Sequence, residues 1–220
     1  MIVCPAPCKP LLKERQMRAF QIRKTMPEYD VLKAGMKMAK MAKDRKGLDH
    51  IHYNAEDKEI VASNGFGLII LKTELIEENL VMPKSGEVRL EGSYVILDEG
   101  NNSFANYKKI VSAFKAAKRA NVGNLYTKNA QETVCHIIAE LAMQGMYFTY
   151  NCLQFIADIG HLIETIELQD IEGGKTVPVR FSGGTDEIEL TFIALPAYYE
   201  KFNFMTVNEK ENNAHNVRKK

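Results

Sequence analysis

The stretch LDHIHYNAEDKEIVASNGFGLIILKT, Leu48–Thr73, decides the fold class. Leu48–Asn54, Glu59–Ser63 and Leu68–Thr73 are short apolar runs rich in Ile, Val and aromatic residues, and the charged turn Glu56-Asp57-Lys58 separates the first two. Such runs with short connections predict antiparallel strands.

Outward from this centre the pattern changes period. Upstream, Asp30 is placed to cap a helix from Val31 to about Lys43, whose Ala and Met content favours it, and Gly47 suits the helix end. Downstream, Val81–Pro83, Glu87–Leu90 and Tyr94–Asp98 read as further strands, punctuated by Gly86, Gly92 and Gly100. Tyr107–Ala120 returns to a helical period, with Ile110, Val111, Phe114 and Ala117 as its apolar stripe. Glu132–Met143 and Cys152–Ile163 are helix candidates, and Tyr147–Asn151, Thr165–Leu168, Val177–Phe181 and Glu187–Leu195 are strands. The organisation is a helix followed by strands, stated twice around an irregular middle. It predicts one compact domain over residues 26–205, in halves of about 26–111 and 130–205. Residues 1–25 form a basic arm and 206–220 a disordered tail.

Composition narrows the function classes. The chain has 220 residues, 45% hydrophobic and 26% charged, with a formal net charge of +1. That balance fits a globular protein and supplies no whole-chain attraction to nucleic acid or membrane. No apolar run reaches the roughly 20 residues that span a bilayer, and the start Met1–Pro5 has no secretory pattern. Cys4, Cys8, Cys135 and Cys152 are scattered, which fits a reduced, cytoplasmic protein.

Catalytic signatures are missing: there is no phosphate loop, nucleophile elbow or His-Glu-x-x-His. Gly173-Gly174 and Gly183-Gly184 sit between short strands as turns. Cys4 and Cys8 lack a second ligand pair, and His50 and His52 read as exposed strand-face histidines, so no metal or cofactor is expected. Glu77-Glu78 and Asp98-Glu99 read as solvent-facing turn carboxylates. The expectation is a binding protein and not an enzyme.

Two basic edges stand out. Lys33, Lys37 and Lys40 fall at i, i+4 and i+7 on one helix face, while Leu32, Met36 and Ala39 form a separate stripe. Lys108, Lys115, Lys118 and Arg119 give the helix from Tyr107 a similar edge. Aligned like charges face either a polyanion or solvent.

Four segments, in order, resemble the bacterial DNA polymerase III beta subunit, the sliding clamp. Arg45-Lys46-Gly47-Leu48 leads through two strands to Ala62-Ser63-Asn64-Gly65-Phe66-Gly67-Leu68, similar to the family's Ala-Thr-Asp-Gly-His-Arg-Leu. Leu80-Val81-Met82-Pro83-Lys84 is similar to its apolar-Pro-Lys/Arg strand, and Phe104-Ala105-Asn106-Tyr107-Lys108-Lys109-Ile110 to its Phe-Pro-Asp-Tyr-Arg-Arg-Val. Tyr150-Asn151 followed by an apolar helix resembles the family's last helix, and Thr191–Pro196 its closing Tyr-Val-Val-Met-Pro. The chain is far too short for the three domains of such a clamp.

The resemblance implies an α+β, DNA-clamp-like fold of antiparallel sheets with helices packed on one face. It implies a peptide pocket for polymerases and other clamp-binding partners at Leu48, Ser63, Gly65, Phe66, Gly67 and Leu68. Ala105, Lys109 and Ile110 join the pocket from the middle of the chain, and Ile193, Ala194, Leu195, Pro196 and Ala197 from its last strand. It gives Lys33, Lys37, Lys40, Lys115, Lys118 and Arg119 the role of tracking double-stranded DNA phosphates. A homo-oligomer joined through sheet edges would be needed to encircle DNA. The alternative is a protein-interaction module that binds clamp-seeking peptides, or competes with a host clamp, without DNA.

Overall fold

Leu68, Ile69, Ile70 and Leu71 are all buried, which a strand permits only when both faces of its sheet are covered. The computed structural model describes residues 16–100, 104–116, 118–121, 130–143, 146–168 and 178–196. Their elements are β1 (Gln16–Gln21), α1 (Pro27–Met41), β2 (Ile51–Asn54), β3 (Glu59–Ser63), β4 (Gly67–Lys72), α2 (Leu75–Asn79), β5 (Gly86–Glu91) and β6 (Tyr94–Glu99). There follow α3 (Lys108–Ala113), β7 (Lys118–Asn121), α4 (Ala130–Met143), α5 (Tyr150–Ile159), β8 (Ile163–Leu168), β9 (Val179–Gly184) and β10 (Glu189–Ala194).

The strands form one ten-stranded sheet in the order β1-β6-β5-β2-β3-β4-β10-β9-β8-β7. Every pairing is antiparallel, and β4 joins the two halves by pairing with β3 on one side and β10 on the other. The fold class is α+β, as expected. The helices α1, α5 and α4 lie side by side, with α1 packed on β2–β5. Ile69 and Leu71 meet them in the main core with Val31, Leu32, Met38, Phe155, Ile156, Phe181 and Phe192.

The alternate residues of β4 point the other way. Leu68 and Ile70 form a second cluster with Val61, Tyr107 and Ile193, against which Phe104 and Val111 pack. The segment carrying α3 therefore runs across the sheet face opposite the helices. Exposing Leu68 and Ile70 there would forfeit about 1.5–3 kcal/mol each. Polar locks hold the cover: the Tyr107 hydroxyl donates to Glu59 Oε2 at 2.7 Å, and the Ala105 amide donates to the Gly47 carbonyl at 3.2 Å.

Several local expectations are corrected. Helix α1 starts at Pro27, with no side-chain cap, so Asp30 sits in its first turn and faces His161 at 3.6 Å. Part of the basic arm is strand: β1 pairs with β6, Phe20 is buried, and Arg18 binds Glu99 at 2.9 Å. Val81–Pro83 is an exposed loop in which Met82 takes a φ of 49°. The helix from Tyr107 stops at Ala113, because Phe114 turns extended and its ring lies 4.5 Å beneath the Arg180 guanidinium of β9. Tyr147–Asn151 is not a strand: Thr149 caps α5 by accepting from the Cys152 amide at 3.4 Å.

Two exposed-group expectations also fail. His50 and His52 are buried, His52 stacked on Phe104 with ring centroids 5.3 Å apart. Asp98 and Glu99 are buried on β6, and Glu77 accepts a hydrogen bond from the Tyr53 hydroxyl at 2.6 Å. Ala197, the tail 206–220 and residues 1–15 of the arm lie outside the described residues.

Candidate functional site

The β3–β4 turn is built by one side chain. Asn64 Oδ1 accepts from the Phe66 amide at 2.9 Å and the Gly67 amide at 2.8 Å, the local mimicry of a backbone turn for which Asn is suited. Ser63 Oγ donates to the Gly67 carbonyl at 2.8 Å, and Gly65 supplies the positive φ of 84° that the turn needs. Arg45 Nη1 donates to the Asn64 carbonyl at 2.8 Å while its guanidinium carbon lies 5.1 Å from the Phe66 ring centroid. The turn is thereby fixed with Phe66 held outward, 63% exposed.

At the end of β10 the Leu195 amide donates to the Phe66 carbonyl at 2.9 Å, which brings Leu195 and Pro196 beside the turn. Between this edge and α5 opens a groove of about 560 Å³. Phe66, Gly67, Leu195 and Pro196 line one side, Met41 closes the end of α1, and Thr149, Asn151, Cys152 and Phe155 come from α5 and its cap. Phe192 forms the floor. Met41 and Leu195 are 48% and 40% exposed, so the rim presents apolar surface to water. Clustered exposed apolar groups of this kind mark interaction sites.

The Cys152 thiol in the groove wall is pushed up to about 12 by burial and stays protonated. No His, Asp or Glu among the described residues lines the groove. Among the described residues, no cluster of His, Cys, Asp and Glu is arranged to hold a metal ion. No helix of the described residues is long and apolar enough to cross a membrane.

The structure separates the expected pocket residues into two groups. Phe66, Gly67, Leu195 and Pro196 come together, with Ser63 and Gly65 shaping the turn and half-buried Leu48 nearby. Leu68 and Ile193 do not join them: both are buried in the second cluster on the opposite face, under Phe104 and Tyr107. Phe66 and Leu195 lie just outside the ends of β4 and β10, where the strand alternation no longer holds. Ala194 faces the main core. Ala105, Lys109 and Ile110 belong to the covering segment on that opposite face, all exposed. A single depression shared by Phe66, Leu68, Ile110 and Leu195 is therefore excluded. Asn64, Met41, Thr149, Cys152, Phe155 and Phe192 are site residues that the sequence reading misses. The i, i+3 spacing of Cys152 and Phe155 on α5 is the available signal for two of them.

The residues expected to meet DNA also divide. Lys33, Lys37 and Lys40 are exposed along α1, but Lys37 donates to Asp158 Oδ2 of α5 at 2.5 Å. Lys115 and Arg119 are exposed elsewhere: Lys115 follows Phe114, and Lys118 and Arg119 belong to β7, the last strand in the sheet order. They do not continue a helix face with α1.

The solved structures to which the chain is similar include bacterial sliding clamps. The chain is similar to the Helicobacter pylori beta clamp in complex with carprofen, at 10% identity over 88% of this chain and 70% of that one, with a TM-score of 0.47. It is similar to the Thermotoga maritima DNA polymerase III beta subunit, at 13% identity over 90% and 68% of the two chains, with a TM-score of 0.36. A third is the H. pylori beta clamp bound to a DNA ligase peptide, at 10% identity over 88% and 68%, with a TM-score of 0.45. No family model and no curated protein matches the sequence.

Proposed function

We propose that this protein is a non-enzymatic, clamp-like binding protein of DNA replication or repair that captures short apolar peptides between Phe66 and Leu195. The observation that carries this is the hydrogen bond from Leu195 to Phe66, which holds two exposed apolar side chains on the rim of one groove. A peptide seated there would bury Phe66, Leu195 and Met41, each fully buried side chain contributing about 1.5–3 kcal/mol before the entropy of association is counted. Ser63–Gly67 and Leu195-Pro196 are also positions at which the sequence resembles the clamp pocket.

Duplex DNA is the second partner in this reading, favoured by the exposed Lys33 and Lys40 on α1. Among the described residues β1 and β7 stand at the two ends of the sheet order, and their outer edges suit self-association, which encircling a duplex would require. Without binding DNA, the same groove describes an interaction module that competes for clamp-seeking peptides.

The test is amide chemical-shift mapping of the full chain with a short Leu- and Phe-containing peptide. Saturable shifts should centre on Asn64–Gly67, Leu195 and the first turn of α5. Shifts confined to Tyr107–Ala113 would place binding on the other face and contradict the proposal.

A further inference from the structure

A second cavity, of about 690 Å³, lies at the opposite end of β4 from the peptide groove, about 17 Å away along the strand. Its wall includes Glu28, in the first turn of α1, which is only 4% exposed. Thr73 Oγ1 donates weakly to Glu28 Oε1 at 3.4 Å, and that hydroxyl already accepts from the Leu75 amide at 3.1 Å. Glu28 Oε2 is buried and has no hydrogen-bond partner. A carboxylate taken out of water needs a donor or a countercharge, and the helix N-terminus supplies only a partial one.

The neighbouring charges sharpen the demand. Lys58 is held by Glu74 at 2.6 Å, and Lys72 lies 3.9 Å from Glu189. Glu78, Asp186 and Glu187 add negative charge along the lining, with Arg23 as the opposing cation. The lining also offers apolar surface at Met26, Leu75 and Ile188. Among the described residues no carboxylate cluster is arranged for a metal ion. A cation with an apolar stem suits both the unpartnered oxygen and the apolar wall.

We propose that this cavity binds an alkylguanidinium or alkylammonium group, its charged head on Glu28 Oε2 and its stem along Met26, Leu75 and Ile188. A guanidinium fork can engage both carboxylate oxygens, which makes it the better head group. The site is distinct from the peptide groove and does not depend on it. The group can arrive on a free small molecule or on an Arg or Lys side chain of another protein.

The experiment titrates the full chain with agmatine, with an acetylated Gly-Arg-Gly amide, and with pentylurea as a neutral stem of similar length, following amide shifts. Agmatine should saturate shifts at Thr73, Leu75 and the start of α1, and Glu28→Gln should weaken it at least tenfold. Pentylurea should not saturate, a control that leaves the protein unaltered if Glu28→Gln folds poorly. Tighter binding of agmatine than of the peptide assigns a free cation, and the reverse order assigns a protein side chain. Equal binding by Glu28→Gln, equal binding of pentylurea, or the same shifts with magnesium chloride would overturn the proposal.

Discussion

The Leu195 amide donates to the Phe66 carbonyl at 2.9 Å, and this single bond ties the end of the last strand to the turn between the third and fourth. It extends the β4–β10 ladder, whose final pair is Gly67 with Ala194, by one hydrogen bond beyond regular pairing. Both residues keep their side chains outside the core while their backbones are satisfied within the sheet. That arrangement leaves a fixed apolar rim rather than a frayed end.

Gly67 is the position where backbone closeness makes the groove floor possible. A Cβ there would come within 2.7 Å of Met38 Cε and 3.1 Å of the Phe192 ring. Gly67→Val should therefore destabilise the protein by about 1–3 kcal/mol through overpacking. Urea denaturation checks this; a midpoint unchanged from wild type would show that α1 is not packed as described.

Acid should weaken the fold through His52. Burial, with His50 as a lesser cause, lowers its pKa from 6.5 to about 4. The unfolded chain therefore binds a proton between those values that the folded chain refuses. The stability from the neutral ring is fully present above about pH 6.5 and is lost as pH falls towards 4. His52→Phe, which keeps the stack on Phe104, should flatten the fall between about pH 6.5 and 5 in denaturation curves. An unchanged slope would assign the acid loss to carboxylates instead.

Duplex DNA binding should be sequence-independent and salt-dependent. Replacing Lys33 and Lys40 by Ala should flatten the salt slope by roughly 0.9 for each phosphate that is no longer neutralised. Lys37→Ala should matter less, because Asp158 already holds that ammonium at 2.5 Å. Fluorescence anisotropy against salt concentration separates the variants, with Lys115 and Arg119 changed in parallel. Equal effects of Lys33 and Lys37 would mean that the Asp158 pairing does not persist in solution.

The antiparallel centre is legible because Leu48–Thr73 carries its strand signals locally: apolar runs of the right length around a charged turn. The extension of the helix from Tyr107 to residue 120 fails because a helical stripe and a cover for a sheet face use the same residues. Phe114 satisfies its burial against Arg180 of β9, a neighbour distant in sequence. His50 and His52 read as exposed for the same reason, since Phe104 covers them from another part of the chain. Within the groove, motif positions point to Phe66 and Leu195, but strand alternation would put Leu68 on the face of Phe66. The Asn64 turn that takes Phe66 out of the strand is a local detail that alternation does not show. The α5 wall is hidden because Tyr147–Asn151 carries a strand pattern, which masks Thr149 as a cap.

The affinity of a fluorescein-labelled apolar peptide for wild type and for Leu195→Asp tests the central claim most directly. Leu195 is 40% exposed, so the change should alter stability by no more than about 0.5 kcal/mol. The account predicts saturable binding by the wild type and loss of at least tenfold in affinity for the variant, with an unchanged melting temperature. Undiminished binding by a folded Leu195→Asp protein would contradict it.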